Sequence, residues 1–106
     1  TIDNEFINKL VRIIEKDIDN LEFGVPELAR EIGMSQPVLY KKLDAVTGMS
    51  VNDFIKSVKM NNAGNLLKTK RYTINEVAYM VGFSDRKYFS KEFKKQYGKT
   101  PTEFME

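Results

Sequence analysis

With 106 residues, 42% of them apolar and seven Phe beside five Tyr, the chain suits one or two small packed units rather than an enzyme with a deep cleft, and its apolar content excludes a disordered tail. It contains no Cys and no His, which removes disulfides, thiolate metal sites, the usual zinc ligand and the usual general base; no apolar run is long enough to span a bilayer and no signal-peptide pattern appears. The net charge of +2 hides an asymmetry, because residues 1–35 hold four basic and eight acidic side chains and residues 36–106 hold thirteen and seven, so the basic part is expected to meet a polyanion.

A start at Thr1 rather than Met raises the expectation of a longer parent protein. Phe6, Ile7, Leu10, Val11, Ile14 and Ile18 recur at three- and four-residue steps, which predicts an amphipathic first helix with Asp3 as its N-cap. Gly24 breaks the chain and Pro26 fits the first turn of a second helix, with Leu28, Ala29 and Ile32 inward and Gly33 at its end. Ser35 is placed to cap a third helix running to about Val46, with Leu39, Leu43 and Val46 inward and Gly48 as its stop.

Ser50 and Asp53 open a longer helix in the manner of a capping box, and Val51, Phe54, Ile55, Val58, Ala63, Leu66 and Leu67 keep helical spacing to about Lys68. Thr73 and Glu76 form another capping pair before Val77, Ala78 and Val81, and Gly82 ends that short helix. Asp85 or Ser84 caps the next helix, which carries Phe89, Phe93 and Tyr97 and stops at Gly98; Thr100, Pro101 and Glu103 begin a last turn containing Phe104. No alternating pattern competes with helix. The five Met fall in packing positions, and no phosphate loop or paired-carboxylate site is present.

The chain also repeats itself. ELAREIG at 27–33 matches EVAYMVG at 76–82 with an offset of 49. After the turn the offset becomes 50, pairing Leu39 with Phe89, Lys41 with Lys91, Leu43 with Phe93, Gly48 with Gly98, Ser50 with Thr100 and Phe54 with Phe104. Each copy is a short helix, a turn after Gly, and a longer helix, which is the composition of a helix-turn-helix. Two copies are too few for a helical solenoid. The expected architecture is therefore all-α, about seven helices in one domain over 1–106, with a first helix-turn-helix unit at 3–49, a connecting helix at 50–69 and a second unit at 73–106.

In a helix-turn-helix the second helix enters the major groove. At about 100° per residue, Arg86, Lys87, Ser90, Lys91 and Lys94 share one side of the last long helix, roughly 130° from Phe89 and Phe93. The equivalent side of the first copy holds Gln36, Pro37, Tyr40, Lys41 and Asp44. Long basic and polar side chains suit guanine O6 and N7 or phosphate. A solvated surface is the bland reading of such a face; it is preferred for Lys94 and Lys95 taken singly, and the DNA reading is preferred for Arg86, Lys87 and Lys91. Tyr40 is expected outside the core because Leu39 and Leu43 already fill the stripe, and Tyr88 at its edge. The connecting helix, about 27 Å long, compares with a spacing of about 34 Å between successive major grooves, which leads to the expectation of two recognition helices in adjacent grooves.

These residues resemble the AraC family of bacterial transcription regulators, from about Phe6 to Phe104. The most specific stretch is VGFSDRKYFSKEFKKQYGKTPTEF, Val81 to Phe104; LAREIGMSQPVLYKKLDAVTG, Leu28 to Gly48, is similar to the family's first unit. Phe54, Ile55, Lys59, Ala63, Leu66 and Leu67 match its connecting helix. The resemblance implies base-contacting roles for Pro37, Tyr40 and Lys41 and for Arg86, Lys87, Ser90 and Lys91. Lys59 departs from the family's usual Arg, as does Met105 after the final aromatic, and Lys does not replace Arg at a bidentate contact. The resemblance further implies sequence-specific binding of double-stranded DNA without catalysis, cofactor or metal, RNA polymerase as a second partner, a sensing domain elsewhere in the full-length protein, and a place in the cytoplasm at the nucleoid, compatible with a membrane anchor in the parent but with no membrane contact by this domain. The acidic first helix and Lys-rich second unit look most like the versions that end hybrid two-component sensors of gut anaerobes, often controlling polysaccharide use. The competing function is a helical protein-interaction module without DNA binding.

Overall fold

The computed structural model describes residues 1–106 and is built of seven α-helices: α1 Ile2–Lys16, α2 Val25–Ile32, α3 Gln36–Thr47, α4 Val51–Lys68, α5 Ile74–Met80, α6 Arg86–Tyr97 and α7 Pro101–Met105. They divide into two compact units. The first comprises Thr1–Asp17 and Glu22–Val58, and the second Ile18–Leu21 and Lys59–Glu106.

In the first unit Phe6, Leu10 and Ile14 of α1 are buried with Leu28 and Ala29 of α2, Leu39 and Leu43 of α3, and Val51, Phe54, Ile55 and Val58 of α4. Leu10, Ile14, Leu28, Leu39 and Leu43 are wholly shielded from solvent, each contributing about 1.5–3 kcal/mol of burial free energy. The second unit buries Met60, Ala63 and Leu67 of α4, Val77 and Ala78 of α5, Val81 and Phe83 of the turn, and Phe89 and Phe93 of α6. Its core is aromatic. Phe93 stacks on Tyr97 at 4.4 Å and meets Phe104 edge-on at 5.2 Å, while Phe89 meets Phe83 at 5.5 Å, distances at which ring quadrupoles attract.

Two boundaries differ from the sequence expectation. The cap of α1 is Thr1, whose hydroxyl accepts from the Asn4 N–H at 3.2 Å, and not Asp3, which lies in the first turn. Ile18 is not on α1: the helix ends at Lys16, and Ile18 packs partly buried against the core of the second unit. The helical period continued past the true end because Ile18 falls four residues after Ile14, whereas Asp17 has already left helical geometry at φ −117° and ψ 32°. Elsewhere Ser35, Thr73, Asp85 and Thr100 cap α3, α5, α6 and α7 through their side-chain oxygens, each satisfying N–H groups that the first turn leaves unpaired.

Between α2 and α3, and again between α5 and α6, the chain turns through a left-handed glycine, Gly33 at φ 77° and Gly82 at φ 83°. One non-glycine residue shares that backbone region, Lys70 at φ 58° in the turn after α4. A side chain there costs about 1–2 kcal/mol of steric strain.

Candidate nucleic-acid interface

The two turns are made by the same hydrogen bonds. The Met34 N–H donates to the Ala29 carbonyl at 3.0 Å and the Phe83 N–H to the Ala78 carbonyl at 2.8 Å. Ala29 and Ala78 are both buried, and each sits on a helix packed against the next, α2 on α3 and α5 on α6. A larger side chain there would push the pair apart. At the start of each pair a glutamate reaches back to the backbone: Glu27 accepts from the Gly24 N–H and Glu76 from the Thr73 N–H, both at 2.8 Å. Each unit thus holds a short helix, a fixed turn and a longer helix whose inner face is Leu39 and Leu43 or Phe89 and Phe93.

The outer faces follow from those inner ones. On α3, Pro37, Tyr40, Lys41 and Asp44 are exposed and Gln36 is half-buried. The Tyr40 hydroxyl donates to Gln36 Oε1 at 3.3 Å, so the two side chains from one face are coupled across a turn. Tyr40 is 46% exposed, outside the core as its spacing predicts. Its ring and Asp44 also line a shallow groove with Met49, Ser50, Val51 and Asn52.

On α6, Arg86, Lys87, Lys91 and Lys94 are exposed and Ser90 is half-buried between them. Arg86 and Lys87 occupy the first turn, which carries no acidic residue, and Asp85 caps it by accepting from the Lys87 N–H at 3.0 Å. Cations at a helix N-terminus oppose the macrodipole, so these two side chains are not there to stabilise α6. They leave two positive side chains on the exposed start of α6, beside the single acidic cap Asp85. No ion pair engages Arg86, Lys87 or Lys91. Lys94 and Lys95 are different. They lie in the last turn, where positive charge suits the dipole, and Lys95 is 3.1 Å from the carboxylate of Glu92. Tyr88 is 43% exposed and lays its ring against Phe83 at 5.6 Å, a residue of the core's edge with an open outer side.

Several positioning residues left little trace in the sequence. Glu92, only 7% exposed, is the buried charged residue of the chain; it falls three residues after Phe89, at a core-side spacing that its charged residue type obscures. The Tyr97 hydroxyl donates to the Met60 carbonyl at 3.0 Å, and Gln96 donates to Asn61 Oδ1 at 3.1 Å; both tie the C-terminal half of α6 to α4. Gly64 lies directly under the Tyr97 hydroxyl, where a side chain would collide. Lys59 is half-buried, its Nζ 5.6 Å from the Phe83 ring centre, and burial holds its ammonium below the usual lysine range. At this position the charge is used in packing against an aromatic ring. Met105, the other departure from the family's arginine, packs partly buried on the second core.

Residues 28–106 match the family model described as a helix-turn-helix domain. Among solved structures the chain is similar to a DNA-binding transcriptional dual regulator from Escherichia coli K-12, at a TM-score of 0.84 and 28% identity over 94% of this chain and 88% of that one. It is likewise similar to the C-terminal domain of the two-component response regulator yesN from Fusobacterium nucleatum, at a TM-score of 0.82 and 27% identity with both chains covered completely (100% each). Among curated proteins it is 35% identical to histidine kinase P4 of Formosa agariphila over 99% of this chain and 8% of that protein. It is 32% identical to the Msm operon regulatory protein of Streptococcus mutans over 93% of this chain and 35% of that protein. The chain therefore spans about a third or less of the length of the curated relatives it matches.

Proposed function

The chain belongs to the AraC-type helix-turn-helix domain family, and on that premise we propose that it is the DNA-reading module of a longer bacterial transcription regulator, each unit offering its second helix to a major groove of double-stranded DNA. The observation that carries this reading is the first half of α6. Arg86, Lys87 and Lys91 project from one exposed face with no ion pair, two of them against the helix dipole. Ser90 lies between them and Lys94 extends the face; on α3 the corresponding contacts come from Gln36, Pro37, Tyr40 and Lys41.

As a module for transcription regulation the domain is not an enzyme; the kinase among its relatives is matched over only 8% of its length. That relative and the response-regulator domain support a place at the output end of a two-component system, with a sensing domain elsewhere in the parent protein and RNA polymerase as a further partner. No helix is long and apolar enough to cross a membrane, so any anchor would belong to another part of that parent.

Lys91→Ala tests the assignment. It is expected to weaken binding to a duplex selected by the chain from a random pool by about 1–3 kcal/mol and to relax preference at one base position. A titration with unchanged affinity and unchanged base preference would remove Lys91 from the interface. A chain that binds duplex DNA without steep salt dependence would favour a protein-interaction module instead.

A further inference from the structure

The exposed basic groups of the second unit are not confined to α6. Lys68 at the end of α4 and Thr69, Lys70 and Arg71 in the turn between α4 and α5 are all exposed. The turn is fixed by its own hydrogen bonds. The Thr69 N–H donates to the Leu66 carbonyl at 3.2 Å and the Lys70 N–H to the Leu67 carbonyl at 3.1 Å. The Thr69 hydroxyl donates to the Leu66 carbonyl at 2.7 Å, and the Arg71 N–H donates to Thr69 Oγ1 at 3.3 Å.

The backbone of Lys70 sets this turn apart. Five residues of the chain have positive φ, and four are glycines, Gly33, Gly48, Gly82 and Gly98. Glycine takes that conformation without steric cost. Lys70, at φ 58°, is the one place where a side chain is kept despite the strain. Strain retained at a defined position points to a task for the side chain. Lys68 has a neighbour in the Phe104 ring, 6.0 Å from its Nζ, whereas Lys70 and Arg71 make no ion pair. The nearest carboxylate in sequence, Glu76, is occupied by the Thr73 N–H at 2.8 Å. At the repeat offset of 49, the counterpart of Lys68–Arg71 is Asp19, Asn20, Leu21 and Glu22, so the basic turn is not a requirement of the fold.

We infer that Lys70 and Arg71 form a phosphate-binding element that grips the DNA backbone beside the groove entered by α6. The inference rests on the DNA-reading function proposed above. In a helix-turn-helix the first helix crosses the backbone while the second lies in the groove. Here the first helix is α5, it packs on α6, and the basic turn leads directly into it. Phosphate contacts of this kind fix register and orientation and carry no base preference.

The test measures affinity for a mixed-sequence DNA duplex by fluorescence anisotropy across a salt series, for the 106-residue chain and its variants. Removing one phosphate-binding side chain should lower the slope of log affinity against log salt by about 0.9. Lys70→Gly should lower it by about that amount and melt at or above the wild-type temperature, because glycine relieves the strain. Arg71→Gln, which leaves the backbone of residue 70 alone, should lower it equally, and the double variant should lower it by about 1.8, with base preference on selected duplexes unchanged. A wild-type slope in both Arg71→Gln and the double variant, while Lys91→Ala still weakens binding, would overturn the backbone grip and leave the DNA-reading function standing. An altered base preference in Arg71→Gln would overturn it too, by making the turn a base reader. A wild-type chain with no salt-dependent binding would take both down.

Discussion

The two helix-turn-helix units share a backbone and differ in chemistry. Equivalent bonds recur down the repeat: Glu27 and Glu76 reach back at 2.8 Å, the Gly48 and Gly98 N–H groups donate to Asp44 and Lys94 at 2.8 Å, and Ser50 and Thr100 accept from Asp53 and Glu103 at 3.1 and 3.2 Å. What changes lies on either side of that frame. Inward, Leu39 and Leu43 become Phe89 and Phe93; outward, Tyr40, Lys41 and Asp44 become Ser90, Lys91 and Lys94. Caps, turn glycines and the helical period specify where the helices go, and positions that none of these constrain are left to decide what each unit binds.

The largest expected effect breaks the inward half of this comparison. Phe93 is wholly buried, stacked on Tyr97 and edge-on to Phe104, so Phe93→Ala should destabilise the chain by about 3–5 kcal/mol. Its counterpart Leu43, also wholly buried, should cost about 2–5 kcal/mol as Leu43→Ala, without the aromatic contribution. Urea unfolding of both variants checks the pair. A Phe93→Ala midpoint equal to wild type would show that the aromatic ladder does not hold the second unit together.

The turn glycines separate the units next. At Gly33 an added Cβ meets nothing within 4 Å, so Gly33→Ala should forfeit only the left-handed backbone preference, about 1–2 kcal/mol. At Gly82 the same Cβ would strike the Ile18 backbone carbonyl and crowd Lys59 Nζ at 3.1 Å. Gly82→Ala should therefore cost clearly more than Gly33→Ala, measured by the same unfolding experiment. Equal destabilisation would mean that the Ile18 segment yields freely, and that the second turn is no tighter than the first.

Most of the fold was legible because its signals are local. Thr73 with Glu76 announces a capping box by spacing alone, and it forms; Thr100 and Glu103, read as the start of a last turn, form another. Gly33, Gly48 and Gly98 stop helices where a left-handed residue is cheap. Ile18 was misplaced because periodicity cannot see where a helix stops, only that an apolar residue falls in phase. The exposed faces of α3 and α6 were legible as the complement of the buried stripes. Whether they contact DNA is a separate matter, carried by the helix-turn-helix frame and by the charges against the dipole of α6. The strain at Lys70 and the burial of Glu92 were not legible. Left-handed backbone is expected at Gly, Asn or Asp rather than Lys, and a Glu on a helix is expected in water. The first belongs to a local turn and the second to packing, and neither is announced by its residue type.

The smallest expected effect concerns the outward half, and it is read as a slope. On the side of α6 proposed to face DNA, Arg86, Lys87, Lys91 and Lys94 sum to +4; on the matching side of α3, Lys41 and Asp44 cancel to 0. Charge that neutralises phosphate releases counterions, so the second unit should carry most of the salt dependence, while the first adds shape and apolar contact through Pro37 and Tyr40, for example to a thymine methyl. A straight comparison of charge removed would favour the second unit trivially. The informative quantity is the drop in slope per lysine. Asp44 lies three residues beyond Lys41 on the same helix face, within the range where side chains interact, and it lowers the local positive potential that attracts phosphate. Lys41→Ala should therefore lower the slope by well under the ~0.9 of a full phosphate contact, and Lys87→Ala with Lys91→Ala by up to about 1.8 together. Asp44→Asn sharpens the contrast, since removing the opposing charge should raise both affinity and slope in the first unit. If Lys41→Ala removes as much slope per residue as the pair, and Asp44→Asn changes neither quantity, the two units contribute equally to electrostatic binding and the charge asymmetry of the repeat is without consequence for DNA.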